Sequence, residues 1–262
     1  MHNELLTIGP LTIYGYGTMI AVGAIAALIA ALVTGKKYNM DGDAIFDVCI
    51  YSLIGGLFGA KLLYILGHIK EFIADPKSMI STDGFVVYGG VILGILTGFL
   101  ICKIKHISFG RFADLIIPSI AIGQAFGRIG CYLAGCCYGK QTDTILGVFF
   151  PYGSSAPSGV SLLPTQLFSA AGDFVIFAIL VFFYQRQRNY VGRTSGLYLV
   201  LYGIGRFAIE FLRGDVRTYF GPLSSNQYVS IVFLALGLLL IFKLAKKQEL
   251  SVNEAVEEPV AE

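Results

Sequence analysis

Tyr202, Arg206 and Glu210 follow one another at intervals of four in "YGIGRFAIEFLR", and Arg213 stands three further on. On a helix, residues three and four apart share a face. The spacing therefore predicts one stripe carrying a phenol, two guanidiniums and a carboxylate. Arg206 and Glu210 can pair across a turn, as they would in a purely structural ion pair between helices. One cation is then left over. A guanidinium is a rigid fork of N–H donors that matches phosphate oxygens at two points. The chemistry to expect is recognition of an anionic, phosphate-like group.

A second stretch, "FGRIGCYLAGCCYGK", places Arg128 among glycines and three cysteines, Cys131, Cys136 and Cys137. Cysteine can stand there as a small residue compatible with apolar surroundings. A disulfide is the alternative on an oxidising side of a membrane. Metal binding ranks behind both, because there is no C-x2-C pair and His68 is the one histidine expected nearby. No metal and no cofactor is expected.

The elements that hold these residues are greasy. The chain has 262 residues, 55% hydrophobic and 14% charged, with a mean hydropathy of +0.72. Soluble domains are about a quarter charged, so the composition places the chain in a membrane. It lacks a basic arm and aromatic-basic interleaving, which argues against nucleic acid. The start "MHNELLTIGP" has no positive n-region, so the first apolar run reads as a retained span.

A crossing helix needs about 20 mostly apolar residues. Seven runs qualify: Tyr14–Thr34, Ala44–Leu66, Phe85–Cys102, Phe112–Leu133, Leu163–Tyr184, Ser195–Leu212 and Asn226–Leu244. None shows the alternation of a barrel strand. The expected fold is an all-α polytopic integral membrane protein with seven transmembrane helices. It forms one domain over residues 1–245, with a disordered cytoplasmic tail over 246–262. Eleven Lys and Arg fall in the odd-numbered connections and the tail, against five at the N-terminus and in the even connections. Positive charge marks the cytoplasmic side, so the N-terminus is expected outside.

That orientation sets depth. Arg128, Arg206, Glu210 and Lys61 fall toward the outer ends of their spans, and Asp114 near the cytoplasm. An ionisable group at mid-bilayer costs about 2.5–3.5 kcal/mol, so it faces a wet cavity or a partner. Lys61 and Asp114 also suit plain interfacial or capping roles. Tyr16 and Gln166 share the outer depth, where they read equally as interfacial anchors. Gly90, Gly94 and Gly98 keep small-xxx-small spacing, a sign of close helix packing. Gly89 and Gly90, after Tyr88, could also admit a ligand to backbone.

Several motifs together resemble the prolipoprotein diacylglyceryl transferase family over about residues 8–245. "LTIYGYGTM" looks like the family's first span, with Tyr16 at its functional tyrosine. "GGLFGAKLLYIL" is similar to the second-span motif, with Lys61 where arginine is usual. "FGRIGCYLAGCCYG" matches the signature in outline, placing Arg128 and Gly139. "LPTQL" brings in Gln166, and "YGIGRFAIEFLR" places Tyr202, Arg206, Glu210 and Arg213. The chain departs at Cys131, Ala134 and Cys136, where the family has Asn, Asn and Glu, and at Tyr88, where it has His.

The resemblance implies a chemistry. Phosphatidylglycerol gives its diacylglyceryl group to the lipobox cysteine of an exported prolipoprotein, leaving a thioether and glycerol-1-phosphate. Arg128 and Arg206 would hold the phosphate, Glu210 would orient Arg206, and Tyr88 would take the place of the histidine as proton acceptor. Tyr16, Lys61, Gly89, Gly90, Gly139, Gln166, Tyr202 and Arg213 would bind substrate. The expected place is a bacterial cell membrane. Two other functions are compatible with the altered signature: transfer of a lipid-derived group to another acceptor, and non-enzymatic lipid or anion transport.

Overall fold

The structure, a computed structural model, describes residues 4–8, 11–79, 84–187 and 189–247. Its helices are α1 (Gly15–Lys37), α2 (Gly42–Gly67), α3 (Ile69–Ala74), α4 (Pro76–Met79), α5 (Val87–Ile104), α6 (Phe109–Ala134), α7 (Thr165–Gln187), α8 (Arg193–Glu210) and α9 (Ser225–Leu239). A π-helical turn, Leu240–Leu244, continues α9.

Six of these, α1, α2, α5, α6, α7 and α9 with its π turn, are long and apolar enough to cross a membrane. The sequence led us to expect seven. The remaining long helix is α8, whose 18 residues include Arg193, Arg206 and Glu210. It packs between α7 and α9 and also touches α6, so its charges are turned toward other helices. Large apolar side chains outside the bundle stay exposed, among them Val33, Phe58 and Ile92. That is the surface a lipid-facing helix presents, and helices satisfy their own backbone groups there.

Close packing follows the glycines. A Cβ on Gly59 would stand 2.4 Å from the Gly89 carbonyl oxygen, and one on Gly89 would stand 2.3 Å from that of Gly59. Only hydrogen fits between α2 and α5. This is the small-residue contact that the spacing of Gly90, Gly94 and Gly98 predicts. A buried cluster of Ala31, Ile45, Val48, Cys102, Phe112, Leu115 and Tyr184 then ties five helices together at one end of the bundle.

Asp114 shows how polar groups are accommodated inside. It is buried and accepts from the backbone N–H of Gly192 at 2.6 Å and of Ser195 at 2.8 Å, and from the Ser195 hydroxyl at 2.6 Å. A carboxylate thus caps the N-terminus of α8, where free N–H groups and the helix dipole favour negative charge. The capping role expected of Asp114 is the one found.

The segment between α6 and α7 has its own small core of Phe150, Ala156 and Leu162 under Tyr132 and Tyr138. Strand pairs absent from the sequence reading also occur: Glu4–Ile8 with Leu11–Tyr14, and Val148–Phe149 with Ser161–Leu162. Tyr190–Val191 pairs with Lys246–Lys247. The rest of the expected tail, residues 248–262, lies outside the described residues.

Candidate active site

A cleft opens between α6, α7 and α8. Its walls include Arg128 from α6, Ser169, Gly172 and Asp173 from α7, and Tyr202, Gly205 and Arg206 from α8. Arg128, Tyr202 and Arg206, singled out from sequence, are thus brought together. Arg128 has no carboxylate within 4 Å among the described residues.

Glu210 lies behind Arg206, one helical turn on, with Arg206 Nη2 3.4 Å from its Oε2. Its other oxygen accepts from the Ser224 hydroxyl at 2.9 Å and from Asn226 Nδ2 at 3.2 Å, with Arg217 Nε 3.7 Å away. Ser224 is fixed in turn by a capping box with Gln227 at the start of α9. Glu210 is therefore buried in place beside the Arg206 guanidinium, its Oε2 paired by charge and without a hydrogen bond among the described residues. Among the described residues, Arg206 keeps a buried Nη1 with no hydrogen-bond partner. A buried donor without an acceptor costs free energy, and an anion in the cleft would supply one.

Arg213 corrects an expectation. Extending the helical phase would put it on the Tyr202–Arg206–Glu210 face, but α8 ends at Glu210. The chain turns there because its next residues bridge to another loop: Gly139 pairs with Arg213, and Lys140 N–H donates to the Leu212 carbonyl at 2.8 Å. Arg213 instead donates two hydrogen bonds to Asp215, at 2.9 and 2.7 Å, and Arg217 grips the same carboxylate. Burial works against ionisation of Asp215. The hydrogen bonds and charge of Arg213, with those of Arg217, outweigh it and hold the carboxyl below its ordinary range. Gly139 has a placing role, since a Cβ there would meet the Leu163 carbonyl at 2.6 Å.

Gln166 is buried at the start of α7, where its Nε2 donates to the Cys136 carbonyl at 2.8 Å. Thr165 beside it donates to the Cys137 carbonyl at 2.9 Å. Tyr16, in the first turn of α1, lies against Gly130, two residues past the arginine of α6.

The remaining expected residues sit elsewhere. Gly89 and Gly90 press on α2, with backbone of α2 where a ligand would have to be. Lys61 lies over the rings of Tyr64 and Phe85, at 5.4 and 5.1 Å. Tyr88 is 58% exposed and lines no part of the cleft. Helix α5 packs mainly on α2 and also touches α6, the helix that carries Arg128.

Asp173 is the residue the sequence reading missed. It is 6% exposed, lines the cleft, and feels the charges of Arg128 and Arg206. The signal was present: a lone carboxylate inside "SAAGDFVIFAIL", the same anomaly that marks Arg128. The three cysteines of the signature segment, all free thiols, converge so that their Sγ atoms lie within 4.8 Å of one another.

Fold and cleft together define a multi-pass membrane protein with a cationic cavity inside its bundle. A family model described as prolipoprotein diacylglyceryl transferase matches residues 3–243. The phosphatidylglycerol–prolipoprotein diacylglyceryl transferase of Clostridium tetani is 43% identical over 239 residues, 91% of this chain and 96% of that protein. The enzyme numbered 2 of Clostridium perfringens is 42% identical, covering 91% and 94%. That of Finegoldia magna is 32% identical, covering 97% and 100%. The chain belongs to the prolipoprotein diacylglyceryl transferase family.

Proposed function

We propose that this chain transfers the diacylglyceryl group of phosphatidylglycerol to the cysteine thiol of a prolipoprotein, with the chemistry taking place in the α6–α7–α8 cleft. The observation that carries the siting is the unpartnered Nη1 of Arg206 in a cleft it shares with Arg128. Two guanidiniums facing one low-dielectric cavity suit a phosphodiester, and they suit it better as the departing phosphate gains a second negative charge.

The attacking sulfur forms a bond to the glycerol carbon that carries the phosphate. The carbon–oxygen bond breaks, and its electrons leave with glycerol-1-phosphate. Arg128 and Arg206 stabilise that developing charge, and Glu210 fixes the Arg206 fork. Asp173, not Tyr88, takes the thiol proton, because it is the carboxylate that lines the cleft. Tyr202 completes the wall beside the phosphate. Arg213, Gly139 and Gln166 set the loops that frame the cleft.

The cleft faces the outer leaflet in this reading, with the N-terminus outside and the C-terminus in the cytoplasm, and α8 completes a set of seven spans. The support is the loop charge bias and the need to meet an exported substrate. The place is a bacterial plasma membrane. The purified chain, given phosphatidylglycerol labelled in its headgroup glycerol and a lipobox peptide, should release water-soluble labelled glycerol phosphate. Release that is equally fast without the peptide would mean hydrolysis, and would overturn thiol transfer.

A further inference from the structure

Cys131 and Cys136 stand where the resembled signature has polar residues, Cys137 follows them, and the convergence of the three has no role in the mechanism above. Each is half-buried, and their three sulfurs lie within 4.8 Å of one another. A disulfide would use two of them and leave the third idle. A single metal ion uses all three. Three sulfurs each about 2.3 Å from a zinc ion stand about 4 Å apart, which the cluster reaches with small rotations.

The backbone is held for this geometry. Gly135 turns the chain in the left-handed region at φ 73° after α6, and Cys137 adopts φ 66°. A residue with a β-carbon avoids that region and stays in it where its surroundings hold it there. Here the carbonyl of Cys137 is held by Thr165 and that of Cys136 by Gln166, both from α7. The Cys136 N–H donates to the Cys131 carbonyl at 3.1 Å.

We propose that Cys131, Cys136 and Cys137 form a three-thiolate site for Zn(II), with its fourth position open to the acceptor thiol. Zinc with three protein ligands and one open position is the arrangement of catalytic sites, whereas structural sites are closed by four. Cys131 follows Arg128 by one helical turn, so the site adjoins the cleft. On metal binding the three protein thiols release their protons to solvent. The acceptor thiol releases a fourth, taken up by Asp173, as its sulfur enters the open position. That sulfur keeps an electron pair for the glycerol carbon, while the carbon–oxygen electrons leave with the phosphate. The part played by the acceptor rests on the function proposed above; the metal site itself does not.

The test uses the full chain, reduced and purified in detergent, then loaded with Zn(II) or Co(II) and desalted. One zinc per chain is expected by elemental analysis. Cys131→Ser, Cys136→Ser and Cys137→Ser should each fall to the content of chelator-treated protein, while Cys49→Ser should not. The Co(II) form should show thiolate-to-metal charge transfer and tetrahedral ligand-field bands. A lipobox peptide should shift those bands, and the same peptide with serine for cysteine should not. No stoichiometric zinc, or cobalt without thiolate bands, would overturn the site. Bands unmoved by the peptide would overturn the open position. Two fewer titratable thiols in protein isolated without reductant would assign a disulfide instead. Arg206→Lys, which should lose transfer, should still bind zinc and shift its cobalt bands, so failure of the metal site and failure of the transfer reading are distinguishable.

Discussion

Arg206 reaches Glu210 one turn along α8, at 3.4 Å, yet it keeps a buried Nη1 with no hydrogen-bond partner among the described residues. The pair sits on one side of the guanidinium, and Arg206 also lines the cleft. Arg206→Lys keeps the charge but loses the fork. The expected result is a fall in transfer of about 100-fold or more, the size of effect seen when one oxyanion donor is removed, with normal membrane insertion. A lysine variant with near-full activity would dismiss the phosphate-clamp role.

Asp173 and Tyr88 make opposite predictions. Asp173→Asn removes the carboxylate of the cleft and should lower turnover by about 100-fold or more, as loss of a general base does. Its residual rate should lack the acid limb of the wild-type pH profile. Tyr88→Phe should retain most of its activity from pH 7 to 9, because Tyr88 is exposed and outside the cleft. The reverse outcome would return the proton to Tyr88.

Asp215 ties Arg213 and Arg217 together in the segment after α8, with its carboxyl held below the ordinary range. A group whose folded pKa is depressed stabilises the protein above its unfolded pKa, about 3.9 for aspartate. That stabilisation is lost as pH falls through the lower folded value. At pH 7, Asp215→Asn should cost about 2 kcal/mol, in the range of charged hydrogen bonds. The gap between variant and wild type should narrow below about pH 4. Thermal unfolding in detergent at both pH values measures it, and a gap independent of pH would show that the carboxylate charge contributes nothing.

Orientation can be read by labelling. Ser155 lies exposed in the loop between α6 and α7, and Lys37 is exposed at the end of α1. In a chain whose native cysteines are replaced by serine, Ser155→Cys should react with a membrane-impermeant thiol reagent in intact cells, and Lys37→Cys should not. The opposite pattern would invert the topology and the outward-facing cleft with it.

What could be read from sequence follows a physical divide. Arg128, Arg206 and Glu210 stood out because a charge inside an apolar run demands a partner or a cavity. The i, i+4 spacing then correctly put Arg206 against Glu210, since a helix's own geometry fixes that contact. Arg213 was misplaced because helix phase cannot be carried past a helix end, and that end is set by pairing with Gly139, far away in sequence. Tyr88 and Lys61 were tied to the arginines by depth and by motif, neither of which fixes lateral position; helix pairing does. The α2–α5 glycine contact was legible as packing, but its distance from the cleft was not. The convergence of three thiols depends on a left-handed turn and on Thr165 and Gln166 of α7, neither of which spacing reveals.

The most direct measurement is mass spectrometry of a lipobox peptide after incubation with the purified chain and phosphatidylglycerol. The peptide should gain one diacylglyceryl group on its cysteine sulfur, in step with glycerol phosphate release. A serine-substituted peptide should stay unmodified, and Arg206→Lys should abolish the gain. A cysteine peptide that stays unmodified while the wild-type protein binds the lipid, or one modified as well by the Arg206→Lys protein as by wild type, would contradict the account.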